Sequence, residues 1–293
     1  MARRGDKLPR AGRHPYNSSP RVRREMKNQN QRPIGIFDSG VGGLTVVKEI
    51  ADALPNEGIV YFGDSLRAPY GNRSDDELVA FSKQIITFLL DQNIKALVVA
   101  CGTISTRIFS QISQMLPKDI PVFEVATLGA KAAAVTTKNN NIGVIATEGT
   151  VKSSTFDKLI TSQNKKANVY SQACPAFVPL VEEGNIHTEQ AFATIKEVLN
   201  VFEGKAIDTL VLGCTHYPLL SHHISNVMGS GVRLINLGTP LAVGIKAYLE
   251  GNNMANNTKT PIMDFYVSGD HTRFKKALDD IMGIDDLKVT KNS

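Results

Sequence analysis

The sequence predicts an α/β protein made of two similar open parallel-sheet domains that face a shared cleft. Short β-branched runs alternate with amphipathic stretches from Pro33 onward, and several of these runs are apolar on both faces. Strands buried on both faces are typical of parallel sheets covered by helices. A third observation, an echo of the first half of the chain in the second, indicates that this architecture occurs twice. In such sheets, ligands bind at the carboxyl ends of the strands.

The predicted strands follow the chain from its first apolar run. Ile34–Phe37 leads into the glycine-rich segment Gly40–Gly43, which brings backbone N–H groups to a helix start and favours a small anion. This segment matches neither the dinucleotide fingerprint nor the phosphate loop. The remaining strands are apolar or β-branched runs: Ile59–Phe62, Ala96–Ala100, Pro121–Val125, Asn141–Ile145, Ala167–Ser171, Thr209–Gly213 and Val232–Asn236. The clearest helices have apolar positions at helical spacing: Asp75–Gln92, Thr188–Phe202 and Pro240–Leu249.

Two strand sequences are echoed later in the chain, in the same order and at nearly the same offset. Ile34–Ser39 resembles Ile142–Thr147, and Ala96–Cys101 resembles Thr209–Cys214. The echo places one cysteine at the end of a buried strand in each half. If the halves face each other, the two thiols approach one cleft from opposite sides.

The domain boundaries are predicted from these echoes and from the charge distribution. Residues 33–125 with 239–293 form a first α/β domain, and residues 126–238 form a second. Residues 1–32 hold ten Lys and Arg against Asp6 and Glu25, so this segment carries +8 and the rest of the chain carries −3. It has no periodic apolar positions and is predicted to be a disordered basic extension. The alternative interpretations of this extension are a transit peptide and an arm that binds nucleic acid non-specifically.

The composition excludes several classes of protein. The chain has 293 residues, of which 42% are hydrophobic and 21% charged, as in ordinary globular proteins. No apolar run approaches the roughly 18 to 20 residues that span a bilayer, so no membrane partner is expected. Cys101, Cys174 and Cys214 are too few for a disulfide framework and form no Cys-x-x-Cys zinc motif. Free thiols at functional positions indicate a reducing compartment, hence the cytoplasm.

Two opposed thiols permit a specific chemistry. A thiolate is a competent base and a thiol a competent acid near neutral pH. Groups on opposite faces of one carbon permit inversion, because one removes a proton and the other returns it from behind. A strand-end cysteine more often simply packs, and we interpret Cys174, which has no echo, in that way. The equivalent positions of Cys101 and Cys214 favour the catalytic interpretation.

Five motifs make the interpretation specific, and together they resemble the glutamate racemases of the cofactor-independent aspartate/glutamate racemase group. The motifs are Phe37–Leu44, Tyr61–Ser65 with Ala68–Gly71, Ala100–Thr103, Pro179–Glu182 and Leu212–Leu219. The resemblance implies interconversion of L- and D-glutamate between two α/β domains, with no cofactor and no metal, and a supply of D-glutamate for peptidoglycan. It runs from about Pro33 to the end of the chain and does not cover the basic extension.

The resemblance also implies residue roles. Cys101 acts on the α-proton of D-glutamate and Cys214 on that of L-glutamate. Asp38 assists at Cys101, while Glu182 and His216 assist at Cys214. Taken singly, these three have ordinary alternatives as a helix cap, a surface carboxylate and a packed imidazole. The expected substrate contacts come from Asp38, Ser39, Asp64 as acceptor of the ammonium, Ser65, the loop of Pro69, Tyr70 and Gly71, Gly102, Thr103, Thr147, Thr150, Thr215 and His216.

One departure and three rival functions accompany this hypothesis. The family usually has Asn after the first catalytic cysteine, where this chain has Gly102, so only backbone donors remain there. A racemase of aspartate or another acidic amino acid is the first rival. A hydrolase or redox enzyme using one activated cysteine is the second. The third is a non-catalytic binding protein whose basic extension contacts nucleic acid; otherwise no nucleic-acid partner is expected. A homodimer is the expected assembly, because twofold assemblies are the commonest.

Overall fold

The computed structural model describes residues 30–257, 261–284 and 287–292. The predicted basic extension thus lies outside the described residues, except for residues 30–32. The strands are β1 Ile34–Asp38, β2 Ile59–Gly63, β3 Ala96–Val99, β4 Val122–Glu124, β5 Asn141–Ala146, β6 Asn168–Ala173, β7 Thr209–Leu212, β8 Arg233–Asn236, β9 Met263–Val267 and β10 Val289–Lys291.

Twelve α-helices occur in the described residues. They are α1 Leu44–Ala53, α2 Asp75–Asp91, α3 Gly102–Arg107, α4 Phe109–Gln114, α5 Val125–Thr136, α6 Glu148–Ser153, α7 Thr155–Gln163, α8 Phe177–Glu182, α9 Glu189–Leu199, α10 Ser221–Met228, α11 Gly238–Gly251 and α12 His271–Met282. Short 3-10 turns span Tyr70–Asn72, Asn200–Phe202 and Tyr217–Leu220. The longest helix, α2, starts at a capping box in which Ser74 and Glu77 each accept a hydrogen bond from the other's backbone N–H.

The strands form two parallel sheets, which confirms the predicted fold class. The first sheet has the order β10-β9-β2-β1-β3-β4 and the second the order β6-β5-β7-β8. All pairings are parallel. The order β2-β1-β3-β4 is repeated as β6-β5-β7-β8, so the echoed strands occupy equivalent places. Their register is also repeated, because Ile34 pairs with Ala96 and Ile142 pairs with Thr209.

The predicted strands are present with ends shifted by at most two residues, but two strands were missed. β9 is interrupted by Asp264, and only Phe265 and Val267 of this strand are fully buried. β10 is a three-residue edge strand with no buried residue. Neither one has the continuous apolar run of a central parallel strand. Both extend the first sheet beyond β2, so the end of the chain returns to that sheet.

Two helices carry the chain between the sheets. α5 follows β4 directly, and its N-terminus is capped by Glu124, which accepts hydrogen bonds from the N–H groups of Ala126 and Thr127. α11 follows β8 and leads back toward β9. The two helices pack against each other, and α11 also packs on α1. The two halves are therefore joined where these helices meet.

A buried ion pair lies next to the amino-terminal ends of the strands of the first sheet. Lys95 Nζ lies 2.5 Å from Glu57 Oε2, and each side chain is 2% exposed. Lys95 also donates hydrogen bonds of 2.8 Å to the carbonyls of Asn30 and Met254. Because the cysteines lie at the opposite, carboxyl ends of the strands, residue 30 enters the fold on the far side from them.

Lys95→Met is expected to lower the free energy of unfolding by about 3–5 kcal/mol, because it leaves the charge of Glu57 buried without a partner. Urea unfolding measures this loss. The double variant Lys95→Met with Glu57→Gln is the control, since a glutamine at this position keeps an acceptor for the N–H of Asn256 but carries no charge. We expect the double variant to be more stable than the single one; equal losses would contradict the assignment.

Candidate active site

Cys101 and Cys214 follow the equivalent strands β3 and β7, one in each half. They are 4% and 7% exposed. Negative charge on Cys214 contributes to raising the pKa values of both Cys101 and Cys174. Gly102, which follows Cys101, lies so near the other half that an added Cβ on it would be 3.8 Å from the Cα of Cys214.

On the first side of the site, Cys101 lies near the end of β1, where Asp38 and Ser39 follow each other. Its sulfur donates a long hydrogen bond of 4.0 Å to Ser39 Oγ. Burial raises the pKa of Cys101 well above its usual range, and the charge of Asp38 adds to this effect, while the N–H groups of Ile104 and Thr103 oppose it. At neutral pH Cys101 is thus held as a thiol, which is the acid form.

Asp38 is buried at the end of β1. Its Oδ2 accepts hydrogen bonds of 3.1 and 2.9 Å from the N–H groups of Gly40 and Gly43. Its Oδ1 accepts one of 3.2 Å from Thr215 Oγ1, which belongs to the other half. Burial raises the pKa of Asp38, although His216 and these backbone donors lower it in part. The carboxyl group therefore organises the glycine-rich loop and reaches across the cleft.

On the second side, Cys214, His216 and Glu182 form a chain. His216 Nδ1 lies 3.7 Å from the Cys214 sulfur, and His216 Nε2 lies 2.7 Å from Glu182 Oε1. Burial acts to lower the pKa of His216, but the hydrogen bonds to Cys214 and Glu182 prevail and raise it well above its usual value. Burial likewise acts to raise the pKa of Glu182, but His216, the N–H of Val41 and the charge of Arg273 hold it below its usual range.

The glycine-rich loop of the first half packs closely against His216 and Glu182. A Cβ on Gly40 would lie 2.7 Å from Glu182 Oε1, and a Cβ on Gly42 would lie 2.5 Å from His216 Nδ1. Side chains at these positions would displace the imidazole and its carboxylate partner. Because Gly40 and Gly42 have no side chains, the loop can lie close to Glu182 and His216 of the other half.

Threonine hydroxyls connect the two halves around the thiols. Thr103 Oγ1 lies 3.0 Å from Thr147 Oγ1, which in turn lies 3.0 Å from Thr150 Oγ1. Thr150 also accepts a 3.4 Å hydrogen bond from Thr106. Thr103, Thr150 and Thr215 are at most 4% exposed. The structure thus joins the hydroxyls of Thr103, Thr147 and Thr150 across the two halves, with Thr103 two residues after Cys101, and we call this group with Thr106 the hydroxyl layer.

The predicted substrate loop lies against the second half. Gly71, which follows Pro69 and Tyr70, is so close to Thr147 that an added Cβ would lie 3.0 Å from the threonine Cβ. The hydroxyl of Tyr70 donates a hydrogen bond to Asp64 Oδ2. The loop therefore lies next to Thr147 of the hydroxyl layer, and the hydrogen bond to Asp64 fixes the position of Tyr70.

Asp64 and Ser65 do not lie where the substrate contacts were expected. Asp64 is fully buried and already bonded, because besides Tyr70 it receives Arg67 Nε at 2.6 Å and Ser268 Oγ at 2.7 Å. Ser65 packs against Gly269 beyond β9, away from the thiols, and its hydroxyl has no hydrogen-bond partner among the described residues. These two residues shape the loop rather than join the hydroxyl layer.

Cys174 is fully buried outside the pair. Its sulfur donates a 3.7 Å hydrogen bond to the carbonyl of Gln172, and its own carbonyl accepts one of 3.1 Å from the hydroxyl of Tyr217. Tyr217 lies three residues after Cys214. We therefore expect Cys174 to support the backbone beneath the second thiol.

Three further residues, which no sequence motif singled out for a role, hold the site together. Tyr61 donates a 2.6 Å hydrogen bond to the carbonyl of Gly40, and Thr45 donates one of 3.0 Å to the carbonyl of Thr215. Thr106 joins the hydroxyl layer from α3. Tyr61 lies in an apolar strand and the threonines lie within helices, so nothing in their local pattern distinguished them from core residues. A polar atom on an otherwise apolar face was the available signal.

The described part of the chain shows no grouping of three His, Cys, Asp or Glu side chains that could hold a metal ion. Among the same residues, no helix is both long and apolar enough to cross a membrane.

Comparisons with known proteins identify the family of this chain. The model of the Asp/Glu/Hydantoin racemase family matches residues 34–243. Glutamate racemase 2 of Caldanaerobacter subterraneus is 44% identical over 87% of this chain and 94% of its own length. The crystal structure of a glutamate racemase isoform from Bacillus anthracis is similar with a TM-score of 0.86 and 35% identity, covering 90% of this chain and 98% of that one.

A third relative was solved with a bound amino acid. The glutamate racemase of Francisella tularensis, in complex with D-glutamate, has a TM-score of 0.83 and 36% identity, covering 90% of this chain and 98% of that one. Matches of this extent span both sheets and every motif described above. The chain is a member of the glutamate racemases, within the Asp/Glu/Hydantoin racemase family.

Proposed function

We propose that this protein interconverts L- and D-glutamate by two-sided proton transfer between Cys101 and Cys214. The observation that carries the proposal is the pair of buried thiols, which follow equivalent strands of the two halves where Gly102 of the first half approaches Cys214 of the second. Relatives that cover nearly the whole fold are glutamate racemases, and one of them was crystallised with D-glutamate. D-Glutamate is a building block of peptidoglycan, and its supply is the cellular role we propose.

The proposed reaction starts with different protonation states on the two sides. We assign the base to Cys214, whose sulfur lies 3.7 Å from His216 Nδ1, and the acid to Cys101, whose thiol form burial favours. The Cys214 thiolate removes the α-proton of L-glutamate, which leaves an electron pair on the α-carbon. The Cys101 thiol then donates its proton to the opposite face. The products are D-glutamate, a Cys101 thiolate and a Cys214 thiol, and the reverse reaction follows the same steps backward.

The weak acidity of the α-proton is the main chemical obstacle. Fixed dipoles in a site without water stabilise a developing carbanion most effectively when they point at the substrate carboxylate. The hydroxyls of Ser39, Thr103, Thr147 and Thr215, with the N–H groups at Gly102, are the dipoles we assign to this task. Both thiols are nearly inaccessible, and we therefore propose that the halves part to admit substrate.

Two further assignments complete the proposal. Asp64 positions Tyr70 instead of receiving the ammonium, because its oxygens already accept from three protein donors. We also propose that residues 33–125 with 239–293 and residues 126–238 are the two moving domains, joined through α5 and α11. A homodimer remains the assembly we expect.

The proposal is tested by incubating the purified protein with L-glutamate, with no cofactor added, and following circular dichroism. We expect the signal to decay to zero as the enantiomers equilibrate, and L-aspartate to react much more slowly. Preferential racemisation of L-aspartate would assign the protein to the rival substrate. An unchanged signal with both amino acids from well-folded protein would overturn the proposal.

A further inference from the structure

The chain leaves the second sheet through a short segment that is hydrogen-bonded to a helix of the first half. This crossing segment, residues 236–239, joins the end of β8 to the start of α11. Glu49 of α1 accepts a 3.0 Å hydrogen bond from Asn236 Nδ2 at one carboxylate oxygen and one of 2.9 Å from Thr239 Oγ1 at the other. One side chain of the first half thus holds both ends of the crossing segment.

The crossing segment packs closely on α1. Asn236 Oδ1 accepts a 3.1 Å hydrogen bond from the N–H of Gly238, so the Asn236 side chain shapes the turn and reaches Glu49 at the same time. A Cβ on Gly238 would lie 3.0 Å from Glu49 Cγ and 3.3 Å from the Cα of Val46. The start of α11 therefore rests directly on α1.

α1 also reaches the second half at a point close to the thiols. Thr45, one helical turn before Glu49, donates a 3.0 Å hydrogen bond to the carbonyl of Thr215, the residue after Cys214. Thr45 and Glu49 both line a cavity of about 760 Å³, whose walls come from both halves. Packing between the halves is therefore incomplete along this face of α1, and the hydrogen bonds of the two side chains matter more for how the halves fit together.

We propose that Glu49 is a positioning residue for the reaction, because its two hydrogen bonds set the angle at which the halves meet. The inference rests on the proposed function and deepens it. Asn236 pairs with Leu212 on β7, two residues before Cys214, so a rotation of the crossing segment on α1 moves Cys214 relative to Cys101. Reacting atoms must approach to about 3–3.5 Å, and a displacement of about 1 Å can lower the rate about 100-fold.

The experiment compares Glu49→Ala with Glu49→Gln at saturating glutamate, under conditions in which urea unfolding shows each variant to be folded. A glutamine can keep both contacts, because its amide oxygen accepts from Asn236 and its amide nitrogen donates to the hydroxyl of Thr239. We expect kcat of Glu49→Ala to fall about tenfold or more, and kcat of Glu49→Gln to stay close to the wild-type value.

Asp52→Ala is the matched control on the same helix. The Asp52 side chain is 67% exposed and forms an ion pair of 3.3 Å with Lys48, also on α1. Because this pair does not reach the second half, we expect Asp52→Ala to leave kcat unchanged.

A purely stabilising role of Glu49 predicts a different result. It would lower the free energy of unfolding of Glu49→Ala but leave kcat of the folded enzyme unchanged, and that outcome would overturn the inference. An equal loss of kcat in Glu49→Gln would overturn it too. With α-deuterated glutamate, the isotope effect on kcat of Glu49→Ala should be at least as large as that of the wild-type protein, since proton transfer is the step that slows; a smaller isotope effect would contradict the inference. A wild-type protein that fails to racemise glutamate would instead overturn the proposed function.

If Glu49→Ala does not fold, as judged by far-UV circular dichroism, Thr239→Val tests the same contact. This change removes one of the two donors to Glu49 at an exposed position. We expect kcat to fall by a smaller factor than a loss of both bonds would cause; an unchanged kcat would count against the inference.

Discussion

Replacing either Cys101 or Cys214 with alanine is expected to lower racemisation by about 10³-fold or more, because inversion requires an acid and a base on opposite faces of the carbon. Each variant keeps one thiol. Cys101→Ala is expected to exchange the α-proton of L-glutamate with deuterium, and Cys214→Ala that of D-glutamate. Nuclear magnetic resonance of the two enantiomers in deuterated water measures both effects.

Exchange is the informative readout for the two sides. The enantiomers have equal free energies, so kcat/KM must be the same in both directions for any variant. Racemisation rates therefore do not reveal which thiol serves which enantiomer. Cys174→Ala is the matched control, since this cysteine lies outside the pair, and it is expected to retain racemisation. Normal turnover by Cys214→Ala would indicate a chemistry that needs one activated cysteine.

Replacing His216 with glutamine is expected to lower kcat about 100-fold, because the imidazolium next to Cys214 is lost.

The contribution of His216 to the free energy of unfolding should depend on pH. A group whose pKa is raised by folding contributes fully below its unfolded pKa, about 6.5 for histidine, and loses this contribution as the pH rises through the raised value. The lowered pKa of Glu182 has the opposite sign: its contribution is lost as the pH falls.

Urea unfolding from about pH 6 to about pH 10 measures this dependence. The free energy of unfolding of the wild-type protein should exceed that of His216→Gln by the largest amount at the acidic end of this range. The difference between the two free energies should shrink toward the alkaline end. Glu182→Gln removes the charge that helps raise the pKa of His216, so it should shift the loss to lower pH. His222→Gln, at an exposed position, serves as the control. A difference that grew with pH would contradict the imidazolium assignment.

The central strands were predictable because burial on both faces leaves a continuous apolar run, as in Ala96–Val99. β9 and β10 were not, because Asp264 interrupts one and the other is a short edge strand. The repeat of topology was visible in the echoes, since equivalent strands in equivalent sheets require similar side chains. The crossings near residues 126 and 238 were predicted from the sequence, whereas the packing of α5 against α11 needed the structure, because contacts between distant helices leave no local pattern.

The site divides in the same way. Cys101 and Cys214 could be recognised as site candidates from the sequence, because each directly follows a strand and the end of a strand fixes where a residue points. Asp64 was predicted as an ammonium acceptor because its loop position was visible, whereas its bonds to Arg67 and Ser268 depend on the folded arrangement of the loop and of a segment far away in the chain.

The most direct test of opposed thiols follows the earliest deuterium incorporated during conversion of L-glutamate by the wild-type protein in deuterated water. With separate groups on the two faces, the new D-glutamate carries deuterium while the remaining L-glutamate stays protiated. A single group serving both faces would label both enantiomers equally from the first time points, and that result would contradict the assignment of Cys101 and Cys214 to opposite sides of one carbon.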